Sequence, residues 1–304
     1  MEPKVAHLLY MPLTGLGLYG GHRGKRWLRN RIKIFKQFVI ASLHNQTSQD
    51  FYLWVSVRHQ DRHDPLIVEL RNWLEHNLDR KFGLIFTYTG CCFWDDKYPD
   101  GVAHDRLVDA IHGAVPEIFN VIGEAEQVLL TIQPSDDCYK GTMVEEVQKA
   151  FREGAWEAVT YRKGYVMDYK TKEIAEWNPN TNPPFYTIRF KREVFADPMR
   201  HVAYAGIKSH EFIEDLLLLR LDGRGFLVGT HGENISTVFN HPFRGPDVEK
   251  AVLDEFGLYD VPPLQIKSSW RKGFMRRLPH GWQRKLRYWL GERFAAKIYD
   301  FLRS

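Results

Sequence analysis

The stretch EQVLLTIQPSDDCYKG, residues 126–141 of a 304-residue chain, decides how the rest of the sequence is read. Gln127–Gln133 is a short apolar run containing Val128, Thr131 and Ile132, and it has the length of a buried strand. Beyond it come Pro134, Ser135 and two adjacent carboxylates, Asp136 and Asp137. Like charges side by side repel, so water, basic side chains or a bound cation must offset them. The plainest local role is a turn and helix entry, with Ser135 or Asp137 capping a helix that begins around Thr142.

Outward from this stretch, strand-like and helix-like periods alternate. Lys4–Tyr10 reads as a strand, followed by the Gly-rich loop TGLGLYGGHRG (14–24) and a helix over 27–46 marked by Leu28, Ile32, Phe35, Phe38, Val39, Ser42 and Leu43. A second strand, Asp50–Val57, leads to a helix opening near Pro65, and Phe82–Gly90 is a third strand. A helix over 102–122 precedes the fourth strand, which carries the acidic pair at its end. The other pair, Asp95–Asp96, falls in a loop that no strand delivers. Strands separated by helices predict an α/β fold, a mostly parallel sheet with helices on both faces. Ligands of such sheets collect beyond the carboxyl ends of the strands, where Asp136 and Asp137 lie.

After residue 140 the pattern changes. WEAVTYRKGYVMDY (156–169) predicts a hairpin turning at its RKG, and NPNTNPPFYTIRF (178–190) a loop entering another strand. SHEFIEDLLLLRL (209–221) predicts a helix capped by Ser209, then a turn at Asp222–Gly225, a short strand at Phe226–Val228 and a loop holding His231. The expected organisation is a parallel half over 1–140, a mixed antiparallel half of the same domain over 141–266, and a basic helical tail over 267–304.

With 44% hydrophobic residues the chain has material for a large core. Three cysteines, two of them the adjacent Cys91 and Cys92, form neither a CxxC pair nor an even framework, which favours a reducing compartment. The N-terminus lacks a secretory pattern and no run reaches membrane-spanning length, so the expected location is cytoplasmic. The net charge of +4 is uneven: residues 267–304 hold 11 Lys/Arg against 2 Asp/Glu, and residues 1–266 hold 31 against 36. Trp270, Phe274, Trp282, Trp289, Phe294 and Phe301 interleave with the tail's cations. That is the pattern of an amphipathic helix, either capping the domain or resting peripherally on an anionic membrane. The acidic body argues against nucleic acid.

GLGLYGG (15–21) contains GxGxxG, but Val57 and Arg58 stand where a dinucleotide fold places an acid, which rejects NAD binding. Cys138, beside two acids, has a disfavoured thiolate and makes a poor nucleophile.

FVIASLHNQTSQDFYLWVSV (38–57), LLTIQPSDD (129–137), SHEFIEDLLLLRL (209–221) and GTHGENIST (229–237), in this order, resemble the GT-A glycosyltransferases, most closely their rhamnosyltransferase group. The resemblance spans residues 4–240. It implies transfer of a hexosyl unit, rhamnosyl in that group, from a nucleoside-diphosphate sugar to a glycan or lipid-linked acceptor, with inversion. It also implies a divalent cation, Mn²⁺ or Mg²⁺, bridging the donor diphosphate, for which hard carboxylate oxygens are suited. The metal ligands it points to are Asp136 and Asp137, with His231 as a third. Where the pattern reads Asp-x-Asp-Asp, this chain has Pro134 at the first acid, so the alternative is a catalytically silent sugar-nucleotide or glycan-binding module. The general base it implies is Asp215 or Glu214, with Glu211 behind them, although first-turn acids also complement a helix dipole. For the donor, Gly20 and Gly21 allow close backbone approach, Arg23 and Arg26 meet phosphate, Asp61 accepts from ribose or base, and Asp136 meets the diphosphate through the cation.

Overall fold

The computed structural model describes residues 3–14, 24–78, 81–90, 113–197, 210–232, 234 and 237–266. Asp95–Asp96, the Gly20–Arg23 part of the Gly-rich loop and the basic tail lie outside the described residues. The sheet runs β10-β7-β6-β8-β4-β1-β2-β3, with β9 paired to β6 and to the short β5. Its first half is β1 (Val5–Pro12), β2 (Tyr52–Arg58), β3 (Gly83–Gly90) and β4 (Gln127–Ile132), and all three pairings among them are parallel. β1 is central and apolar on both faces, as a strand covered on two sides must be. Leu9 and Met11 enter one core with α1 (Gly24–Ile34), α3 (Pro65–Asn77) and α5 (Met143–Glu153). Leu8 and Tyr10 enter the other with α4 (113–122). That alternation follows from the strand's two-residue period.

Local chemistry accounts for the element boundaries. Asp64 caps α3, its side chain accepting from the Leu66 amide at 2.9 Å, and Pro65 occupies the first turn where no amide is needed. The expected helix over 27–46 is continuous from Gly24 to His44, through a π-helical turn at Phe35–Val39 and into α2 (Ile40–His44).

The second half comprises β5 (Cys138–Tyr139), β6 (Ala158–Asp168), β7 (Glu173–Trp177), β8 (Tyr186–Lys191), β9 (Leu218–Thr230) and β10 (Arg244–Asp247). β8 joins the halves: it runs antiparallel to both β4 and β6, so the division at residue 140 falls inside one continuous sheet. Two local expectations are corrected here. RKG is not a turn, because β6 passes straight through it; Gly164 is there for close approach, a Cβ on it coming within 2.5 Å of the Phe226 carbonyl oxygen. The expected helix over 209–221 is a 3-10 turn at His210–Asp215 followed by the 13-residue β9, which also runs through Asp222–Gly225 with a register shift. Four consecutive leucines, Leu216–Leu219, satisfy either period locally, and pairing with β6 along its whole length selects the strand.

Candidate functional site at the carboxyl ends of the parallel strands

The loop after β4 carries Asp136 and Asp137 beyond the sheet's carboxyl edge, each only 9% exposed. The motif Ser-Leu-x-x-Gln-Thr of residues 42–47 holds this loop. Ser42 Oγ donates to the Tyr139 carbonyl at 2.7 Å, and Gln46 Nε2 donates to the Lys140 carbonyl at 2.9 Å. Gln46 Oε1 accepts from the Val144 amide at 3.1 Å, so it is a glutamine 98 residues away that caps α5. Neither Ser135 nor Asp137 is recorded as doing so. Pinning the loop from two sides fixes where the acids point.

They point in different directions. Asp136 Oδ2 receives three nitrogens: Arg31 Nη1 at 2.5 Å, His231 Nε2 at 3.0 Å and Asn234 Nδ2 at 3.3 Å. Arg31 comes from α1 and is 2% exposed; His231 follows β9 and is 1% exposed. Asn234 fixes the histidine's backbone, its Oδ1 accepting from the His231 amide at 2.8 Å while its Nδ2 donates to the Gly229 carbonyl at 2.7 Å. Asp137 turns instead to β9, where its Oδ1 accepts from the Gly229 amide at 2.9 Å. Gly229 has to be glycine, since a Cβ would lie 2.2 Å from the Asp136 carbonyl oxygen.

The two acids are pushed in opposite directions. Burial opposes charge on Asp136, but Arg31 and His231 outweigh it and hold this carboxyl well below the usual range. Burial and then the Asp136 charge push Asp137 well above it, against the smaller pull of the Gly229 amide and Arg31. Asp136 is the stronger acid of the two. Cys138, buried behind them, is pushed up to about 12 by burial, with Asp137 adding to the rise, which keeps it an inert thiol.

At the end of β2, Arg58 forms a two-pronged pair with Asp61: Nε to Oδ2 at 2.9 Å and Nη2 to Oδ1 at 2.7 Å. The Arg58 amide donates to Thr14 Oγ1 at 2.9 Å, joining this pair to the end of β1. Arg26 is exposed on α1. Asp215 and Glu214 lie at the other end of β9 from His231, with all 13 residues of that strand between them. Glu214 accepts from Asn182 Nδ2 at 2.6 Å and pairs with Arg220, which lowers its pKa, the Arg220 hydrogen bond acting most. Asp215 is exposed, and Glu211 belongs to the same turn.

The three side chains expected to ligate a metal are therefore divided: Asp136 and His231 meet, while Asp137 bonds elsewhere. Among the described residues no three His, Cys, Asp or Glu side chains are grouped as a metal would need. The Asp136 oxygen facing His231 already receives three N–H donors, more than the about two lone pairs a carboxylate oxygen offers. This donor set does not fit a bound divalent cation.

Reasoning from the sequence missed Arg31, Asn234 and the Arg58 side of the Asp61 pair. Arg31 left a readable signal: Trp27, Arg31, Ile34 and Phe38 form one helix stripe, and all four are buried. A cation in such a stripe needs a buried anion to face it.

The chain matches no protein-family model and no curated relative in sequence. Solved structures similar to it include residues 1–349 of S. aureus TarS in complex with UDP, at 13% identity and a TM-score of 0.36 over 93% of this chain and 78% of that one. The same protein with UDP-GlcNAc matches at 12% identity and 0.39, over 92% and 77%. Mouse xyloside xylosyltransferase 1, apo form, matches at 12% and 0.37, over 72% and 85%. Likeness of this degree transfers neither ligand nor chemistry to this chain. Among the described residues, no helix is long and apolar enough to cross a membrane.

Proposed function

We propose that this chain binds a nucleoside-diphosphate sugar across the carboxyl ends of β1, β2 and β4 and transfers its hexosyl unit to a glycan or lipid-linked acceptor. The observation that carries the reading is the convergence on Asp136: α1 and the β4 loop from the parallel half meet His231 and Asn234 from the second half. A ligand lying at that junction touches a parallel, strand-end half and an antiparallel half at once. It is the place where an open α/β sheet collects ligands. Three of the four motifs that make the sequence resemble the GT-A rhamnosyltransferases, 38–57, 129–137 and 229–237, meet here too, Ser42 and Gln46 holding the acidic loop.

In this reading Arg31 and Arg58 contribute the positive field for the diphosphate, and the Asp61 pair orients Arg58 beside the nucleoside. Gly20, Gly21, Arg23 and Arg26 keep the donor roles that the sequence suggests for them. A carboxylate must take the acceptor's proton as the anomeric carbon is attacked. The resemblance assigns this role to Asp215 or Glu214; Glu214 is held by Asn182 and Arg220, and both stand at the opposite end of β9 from Asp136, so Asp215→Asn tests whether that assignment holds. Rhamnosyl is the first sugar to test, following the resemblance.

The test is a screen of uridine, thymidine and guanosine diphosphate sugars for released nucleoside diphosphate, repeated with Asp215→Asn. The expected result is release from one donor class and a loss of turnover, without loss of donor binding, in the variant. The second reading, a silent binding module, is favoured by Pro134 and by the engagement of both Asp136 and Glu214. It predicts donor binding with no release. For the tail, the expectation is binding to anionic vesicles that weakens with salt and disappears when residues 267–304 are removed.

A further inference from the structure

The acidic loop was expected to present its carboxylates to a divalent ion, and the chain itself supplies a cation at that position. Arg31 is buried, is anchored on a helix and keeps its charge at any working pH. Its Nη1 sits 2.5 Å from the same Asp136 oxygen that His231 and Asn234 face at 3.0 and 3.3 Å. Asp137 commits one of its two carboxylate oxygens, Oδ1, to the Gly229 amide. Pro134 contributes no carboxylate. A metal ion on the Asp136 oxygen would displace one of its nitrogen donors and would sit against a guanidinium, two like charges with little water between them.

We propose that Arg31 takes the place of the divalent cation: Asp136 positions this guanidinium and His231 instead of ligating a metal, and the diphosphate-bearing donor binds here without a metal ion. Arg31 brings one positive charge where a metal would bring two, and Arg58 at the end of β2 is the second cation of the site. The donor half of this inference rests on the function proposed above. The metal half stands on the Asp136 geometry alone.

Two titrations on the full chain keep the halves apart. In the first, Mn²⁺ alone is added and its free electron-paramagnetic signal is followed. The expected result is no saturable loss of signal up to millimolar metal. Stoichiometric loss that Asp136→Asn abolishes, in a variant of unchanged circular dichroism, would overturn the inference. In the second, the donor found by the screen is titrated with Mn²⁺ or with EDTA. The expected affinities agree within about twofold, and Arg31→Met weakens both by about tenfold or more. A donor that binds only with Mn²⁺ would overturn the inference and leave the glycosyl-transfer reading standing. If no donor binds, that reading fails and the Mn²⁺ titration still decides whether Asp136 holds a metal. Should Arg31→Met not fold, Arg31→Lys, which keeps the charge and loses the planar fork, takes its place with a smaller weakening in both media.

Discussion

The β1–β4 pair buries one polar cluster within its length and another beyond its carboxyl end, and the clusters are opposite in kind. Within the pair His7 lies against Thr131 at 2.7 Å, Thr131 reaches Thr187 at 2.5 Å, and Gln148 of α5 approaches the other ring nitrogen at 3.5 Å. Burial lowers the His7 pKa to about 3, so the cluster is neutral. At the carboxyl end Arg31 and Asp136 keep charge, with His231 against the same carboxylate oxygen, in a place just as buried. A neutral hydroxyl–imidazole chain stabilises the packing of sheet on helix and does little else. Buried charge is expensive to keep and weak evidence for stability, and that is why the proposed donor site is put at the charged cluster rather than the neutral one.

The largest expected effect comes from breaking the charged cluster. Arg31→Met takes the guanidinium from a buried Asp136, leaving only His231 and Asn234 beside it, and should lower unfolding stability by about 3 kcal/mol or more, read from urea midpoints. Combining it with Asp136→Asn should recover part of that loss, whereas independent sites would add. Acid separates the two clusters next. His7 is neutral in the fold and takes a proton near 6.5 when unfolded, so its contribution is fully present above pH 6.5 and falls away toward pH 3, by up to about 1.4 kcal/mol per pH unit. Asp136 has a lowered folded pKa, so its contribution is lost only below about 3.8. His7→Gln should flatten the first window and leave the second untouched.

Smaller effects sharpen the comparison within the acidic pair. Asp137 accepts one amide, that of Gly229, a bond an asparagine oxygen can also accept. Asp137→Asn should therefore change stability by less than about 1 kcal/mol at neutral pH, and Asp136→Asn by several times that. Smallest of all is Glu214→Gln, which weakens an exposed pair with Arg220 and should shift the midpoint by no more than about 0.5 kcal/mol. A large loss there would mean that the turn at His210–Asp215 carries more of the fold than its exposure suggests.

What was legible in the sequence follows from how local each signal is. The four parallel strands and α3 could be read because apolar runs, Pro65 and the Asp64 cap act within a few residues. β9 was misread because Leu216–Leu219 favours no single period, and its strand form depends on β6 some 60 residues earlier. The RKG of β6 looks like a turn until Phe226 is placed against Gly164. For the site, Asp136 and His231 could be named although 95 residues separate them, because both stand in the motifs that carry the resemblance. What filled the space between them could not be. A cation was inferred from the doubled carboxylate, and the chain's own answer, Arg31, was hidden in an otherwise apolar helix stripe.

The most direct test of the central claim is calorimetric titration of a panel of nucleoside-diphosphate sugars into the wild-type chain and into folded Asp136→Asn. The expected result is saturable binding of one donor class to the wild type, with affinity reduced at least about tenfold in the variant. A panel to which the wild type is blind, or a donor held equally by both proteins, would contradict the assignment of Asp136 and its partners as the donor site.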